Sequence, residues 1–199
     1  MPFLKLPDEL ETIKKGIVFD EQTTVNLYAQ DESRFGLKTY IGSCLTAKGV
    51  KPIVNYQHAF LNTYLYGCFS PINGDSFVYE IQGTTSELFY KYLIAFSNYK
   101  PKEIKIIIID NAAFHSLKEY QLPDNIKLIR IPPYSPELNP AEKIWQYIKQ
   151  HYKSNVFETL DNVKLWLYDF VKNNFDQVKV KSITNHKKLS DSFLAHFNV

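Results

Sequence analysis

The amino-acid sequence predicts an α/β fold, a mixed sheet flanked by helices. Three observations carry this. Ile106-Ile107-Ile108-Ile109 is a wholly apolar β-branched run, as expected of a strand buried on both faces. Strand-like segments dominate before residue 82, and Asn73-Gly74 marks a hairpin turn among them. Beyond that point strands and helices alternate, the pattern of crossovers onto a sheet.

Each element has its own justification. A charged N-terminal arm, 1–22, has room for a short helix over 8–15. Alternating and apolar runs predict strands at 24–31, 37–46, 56–69 and 74–81. Thr84 and Glu87 stand at capping-box spacing and open a helix that Pro101 terminates. A strand over 104–110, a short helix over 112–119 and a strand over 126–131 follow. Asn139 as N-cap and Pro140 at the first helical position start a helix over 140–153. Ile144, Trp145 and Ile148 recur at helical spacing and read as core. Leu160, Val163, Leu167 and Phe170 do the same in a helix over 159–173. The chain thus divides into the arm 1–22, a central domain 23–176 and a lysine-rich tail 177–199, expected to pack loosely.

Composition narrows the class. A chain of 199 residues, 45% hydrophobic and 22% charged, suffices for one domain with a real core. No apolar stretch reaches the ~18 residues a bilayer requires, and the first residues lack the pattern of a secretory signal. No membrane partner is expected. Cys44 and Cys68 fit no metal-knuckle spacing and read as reduced cytosolic thiols, in preference to a disulfide pair. The net charge is only +2, yet from Lys143 to Val199 nine lysines face five acids. Lys143, Lys149 and Lys153 form either a phosphate-tracking stripe or a solvated helix face.

Three acids stand at element ends. Asp31 closes the run from Val25, Asp110 closes the isoleucine strand, and Glu142 lies in the first turn of a helix. Open α/β sheets place their chemistry at the carboxyl ends of strands, and three such carboxylates suit a divalent cation. Each has a structural reading too. Asp110 can cap the following helix, Glu142 can complete a capping box with Asn139, and Asp31 can be a turn residue. Glu32 and Glu137 are rival ligands. His115, five residues beyond Asp110, is either locally hydrogen-bonded or a neighbour of the site, and Asn111 either orders its turn or touches a ligand.

The segments Gln30-Asp31-Glu32-Ser33-Arg34-Phe35-Gly36, Asp110-Asn111-Ala112-Ala113-Phe114-His115 and Pro132 through Trp145 resemble the catalytic (DDE) domain of mariner-like transposases. The similarity is to the bacterial insertion-sequence-six-thirty branch in particular, and covers roughly 24–175. It implies a ribonuclease-H-like fold and metal-dependent DNA strand cleavage and strand transfer. It also implies Asp31, Asp110 and Glu142 as catalytic ligands of two Mg²⁺ ions, with Mn²⁺ as substitute. In that scheme Asp31 bridges both ions, Asp110 shares one and Glu142 the other. Asn111, His115, Asn139 and Lys143 become second-shell or DNA contacts. The partners implied are element-end and target DNA, a second copy of the chain, and a helix-turn-helix module, either a separate subunit or an N-terminal half, since no such pair of helices fits in 1–22; the location implied is cytoplasmic, bacterial and nucleoid-associated. Phe3, Leu4 and Leu6 in the arm, with Leu189, Phe193, Leu194 and Phe197 in the tail, are candidate contacts for the second copy. The family's tryptophan in the second strand is replaced by Tyr40 and Ile41. Two other readings remain: a different nuclease of this fold, such as a junction resolvase, and an inactive remnant that binds DNA or protein.

Overall fold

The computed structural model describes residues 6–20, 22–38, 46–51, 59–133, 135–153 and 155–197. Most of the strand expected at 37–46, with Cys44, Tyr40 and Ile41, therefore lies outside the described residues.

Five strands form one mixed sheet: β1 (Thr24–Gly36), β2 (Asn62–Phe69), β3 (Ser76–Ile81), β4 (Glu103–Ile109) and β5 (Ile126–Arg130), in the order β3-β2-β1-β4-β5. β1 pairs antiparallel with β2 and parallel with β4; β2 and β3 form a hairpin, and β4 and β5 run parallel. The hairpin turns through Gly74 at φ +78°, a conformation that glycine adopts without a Cβ penalty. β1 and β4 are central, and Ile106 through Ile109 are at most 1% exposed.

Strand alternation assigns the two faces. On one, Val25, Leu27, Ile106 and Ile108 meet α1 (Leu6–Lys15) and α6 (Lys187–His196). Further along that face, Ala29, Phe35, Leu65 and Phe69 pack on α3 (Ala141–Tyr152) and α4 (Leu160–Asn174), with Val180 of α5 (Gln177–Ile183). On the other, Tyr28, Tyr66, Ile107 and Ile109 are covered by Phe89, Tyr92, Leu93 and Phe96 of α2 (Ser86–Asn98).

Several expectations are corrected. The cap of α2 is Thr85, whose side chain accepts the Leu88 amide, and not Thr84. The helix expected at 112–119 is one 3₁₀ turn, Ala113–His115, because the chain must double back to enter β5. The tail is not loosely packed. It forms α5, capped by Asp176, and α6, with Leu189 and Phe193 fully buried. Leu6, Leu189, Phe193 and Phe197 cover the chain's own sheet beside Leu27 and Ile108. They are thus used within the chain, while Leu194 alone of the described set is exposed. Phe3 and Leu4 lie outside the described residues.

Candidate active site

The site is built by the parallel pairing of β1 and β4. Their register runs from Thr24↔Glu103 to Ala29↔Ile108. Two residues further, the same register sets Asp31 opposite Asp110, on the face that carries Ala29 and Ile108. The third acid arrives on α3. The Gln30 carbonyl, just past the last residue paired with β4, accepts the Asn139 side-chain amide at 2.8 Å. Asn139 Oδ1 also accepts the Ala141 amide at 3.2 Å. The loop before α3 is thereby tied to β1, and Ile144, Trp145 and Ile148 bury the helix against the sheet. Asp31, Asp110 and Glu142 consequently line one cavity of about 400 Å³, together with Asn111, Ser135 and Asn139.

The electrostatics follow from this crowding. Burial pushes the Asp31 carboxyl up to about 8, and the nearby charges of Glu142, Glu32 and Asp110 add to it. Asp110 is moved the other way, chiefly by its hydrogen bond from His115. His115 Nδ1 lies 2.8 Å from Asp110 Oδ1, and its Nε2 lies 3.2 Å from Glu32 Oε1. Burial opposes charge on this imidazole, but the two carboxylates outweigh it and hold its pKa up at about 9. Phe89 and Phe114 wall in the ring, with centroids 4.3 and 4.4 Å away.

Three hard oxygen donors around one cavity fit a divalent cation that retains waters and takes up substrate oxygens. Among the described residues no three acid, His or Cys side chains already enclose a single ion. The carboxylates instead surround an open cavity.

The sequence model of the DDE superfamily endonucleases matches residues 26–164, a span that contains all three acids. The chain belongs to this family. A 59-residue stretch is 41% identical to the uncharacterised protein y4pE/y4sA of Sinorhizobium fredii, over 29% of this chain and 44% of that one. The fold of the DDE endonuclease domain matches the Mos1 mariner paired-end complex with Mn at a TM-score of 0.65 and 15% identity, over 94% of this chain and 59% of that chain. The Mos1 strand transfer complex matches at 0.61 and 15%, over 96% and 60%. The chain therefore spans less than two thirds of these relatives. The five-stranded sheet is the expected ribonuclease-H-like one.

Within this DDE domain the structure sorts the remaining candidates. Glu32 points away from Asp31, as strand alternation requires, and is occupied by His115 and by Gln30 Nε2 at 2.7 Å. Glu137 is exposed on a 3₁₀ turn and is not among the cavity's lining residues. Asp110 accepts the Ala112 amide at 2.8 Å in an Asx turn and lines the cavity, but it does not cap the 3₁₀ turn, whose N-cap is Ala112 without a side-chain hydrogen bond. Asn111 donates to the Ile131 carbonyl, which orders the turn. Lys143 extends to the Asn185 carbonyl at 2.9 Å, away from the acids.

Two contributors escaped sequence reasoning. Arg130 Nη2 donates to the His115 carbonyl at 2.6 Å, tying β5 to the loop after Asp110. Trp145, read as core, donates from Nε1 to Asp31 Oδ2 at 3.0 Å. Its position three residues after Glu142 was the available signal, since i and i+3 share a helix face.

Proposed function

We propose that this chain is the catalytic domain of a DNA transposase of the mariner-like group. It cleaves DNA strands and joins the freed 3′-hydroxyl to target DNA. One observation carries the reading: Asp31, Asp110 and Glu142, distant in sequence, line a single cavity at the ends of β1 and β4 and the start of α3. The family match and the likeness to the Mos1 complexes, one solved with Mn and another with Mg, support it. Pro140-Ala141-Glu142-Lys143-Ile144-Trp145 supports the bacterial insertion-sequence-six-thirty branch.

The chain's own groups divide the work. Asp31, Asp110 and Glu142 are the oxygen donors for Mg²⁺ or Mn²⁺, two ions in our reading. When bound, such ions supply an activated water and stabilise the leaving oxygen. His115 and the Ala112 amide fix Asp110, and Asn139 fixes the entry of α3. In the first reaction water adds at phosphorus and the 3′-oxygen leaves. In the second that 3′-hydroxyl attacks a target phosphate and displaces a target 3′-oxygen. No bond to the protein forms in either step.

Asp110→Asn is the test. The variant keeps the Ala112 and Arg130 contacts available, so the fold is expected to persist by circular dichroism. Mg²⁺- or Mn²⁺-dependent nicking of a duplex is expected to vanish. Nicking that survives in the folded variant would place the chemistry elsewhere. We further propose DNA as the partner, two copies in the active assembly, a separate DNA-reading module and a cytoplasmic location.

A further inference from the structure

The indole of Trp145 sits in a place made for it. It is 1% exposed and packs edge-on against Phe69, with centroids 5.4 Å apart. Gly67 is the β2 residue paired with Asp31. A Cβ there would meet the Phe69 ring at 2.4 Å and the Trp145 ring at 2.9 Å. The absence of a side chain at 67 thus opens the space through which the indole N–H reaches Asp31 Oδ2. The same helix, one turn earlier, delivers Glu142 to the cavity.

We infer that Trp145 is a positioning residue for the metal site, holding the Asp31 carboxylate in the orientation in which it binds the divalent cation. This rests on the metal-site reading of the cavity. The chemistry of the donor explains the choice of residue. An indole N–H gives one hydrogen bond and accepts none, so it fixes the carboxylate without competing for its other lone pairs. It is also neutral. A lysine or arginine in its place would steady Asp31 equally well but would repel an incoming cation. Because Trp145 and Glu142 share α3, a movement of that helix displaces two of the three ligands together. Outer partners of this kind are worth roughly 10–100-fold in metal affinity when lost.

Trp145→Phe in the full chain tests this, because phenylalanine keeps an aromatic ring in the pocket and deletes only the donor. Mn²⁺ binding by calorimetry is expected to weaken about tenfold or more, while the far-ultraviolet dichroism of the variant is unchanged. A variant that merely melts earlier and binds Mn²⁺ like the parent overturns the inference and leaves the metal site standing. A parent chain that binds no Mn²⁺ overturns both. Should the variant fail to fold, indole ¹⁵N–¹H spectra of the parent decide. Saturating Mg²⁺ and the substitution Asp31→Asn are each expected to move the Trp145 resonance and leave that of Trp166 in place. A Trp145 resonance unmoved by Mg²⁺ overturns the inference.

Discussion

Asp31 is poised between two unfavourable states. Ionised and without a cation, it is buried near the charges of Glu142, Asp110 and, across the strand, Glu32; protonated, it is a poor ligand. Its folded pKa of about 8 lies far above the usual carboxylate value, so folding retains a proton that the unfolded chain has already released. Stability of the metal-free chain therefore falls as pH rises from about 4 to about 8. His115 adds to the trend. Its folded pKa of about 9 exceeds the ordinary 6.5, so its contribution is complete below 6.5 and is lost as pH passes through 9. A divalent cation removes the Asp31 part of this cost. Calorimetric melting is expected to show a larger Mg²⁺-induced rise in Tm at pH 8.5 than at pH 5.5; equal shifts would contradict the linkage. Glu32 makes the complementary case. Glu32→Gln leaves the buried His115 with one carboxylate in place of two, at a cost of about 1–3 kcal/mol in urea unfolding. It is also expected to bring the His115 titration, followed by NMR, down from about 9. An unshifted titration would mean that Asp110 alone holds the ring charged.

Among the elements, β1 and β4 were plain in the sequence because periodicity reports burial directly. The isoleucine run has no polar position to expose, and it ends at the residue that turns into the cavity. The helix of Glu142 was nearly as legible, since Ile144, Trp145 and Ile148 declare its buried face; its N-cap is Pro140, one residue later than the expected Asn139, and carries no side-chain cap. Three things were not legible, two of them because the deciding partner is remote in the chain. Thr84 has capping-box spacing to Glu87, yet the cap is Thr85, whose side chain accepts the Leu88 amide. Trp145 looks like any core aromatic until Gly67, on another strand, is seen to leave it room. The tail reads as a solvated lysine-rich segment because a short amphipathic helix needs a surface to lie on, and that surface is the hairpin turn and the sheet. The docking of α5 is exact enough to test. A Cβ on Gly74 would fall 1.8 Å from the Gln177 carbonyl oxygen, at a φ of +78° that already disfavours alanine. Gly74→Ala is expected to cost about 1–3 kcal/mol, and hydrogen exchange should show protection lost first over 177–183 and not in β4. Uniform loss across the sheet would show that α5 is not a separable unit.

Across the whole molecule the charge is nearly balanced, at +2, so the domain does not command DNA by its overall field. Fluorescence anisotropy with unrelated duplexes is expected to give weak binding of similar strength that declines steadily as salt rises, the mark of phosphate contacts. Tight binding to one duplex alone would reveal a groove-reading element within these residues. Assembly, if it follows the proposed function, must use surfaces other than the buried sides of α1 and α6. That packing has one more consequence, in time. Leu10 and Phe193 belong to one cluster over the same sheet face, and Lys14 reaches the carbonyl of His196. A chain emerging from the ribosome at roughly 5–20 residues per second makes α1 on the order of ten seconds or more before the helix that will cover it. Until then Leu27, Ile106 and Ile108 have only α1 over them, and α1 lacks the helix it packs against. Residues 187–196 are the ones that close the domain. Nascent chains stalled short of residue 187 are accordingly expected to remain sensitive to protease, and chains that include α6 to gain resistance on release; early resistance would show that the sheet is covered without α6.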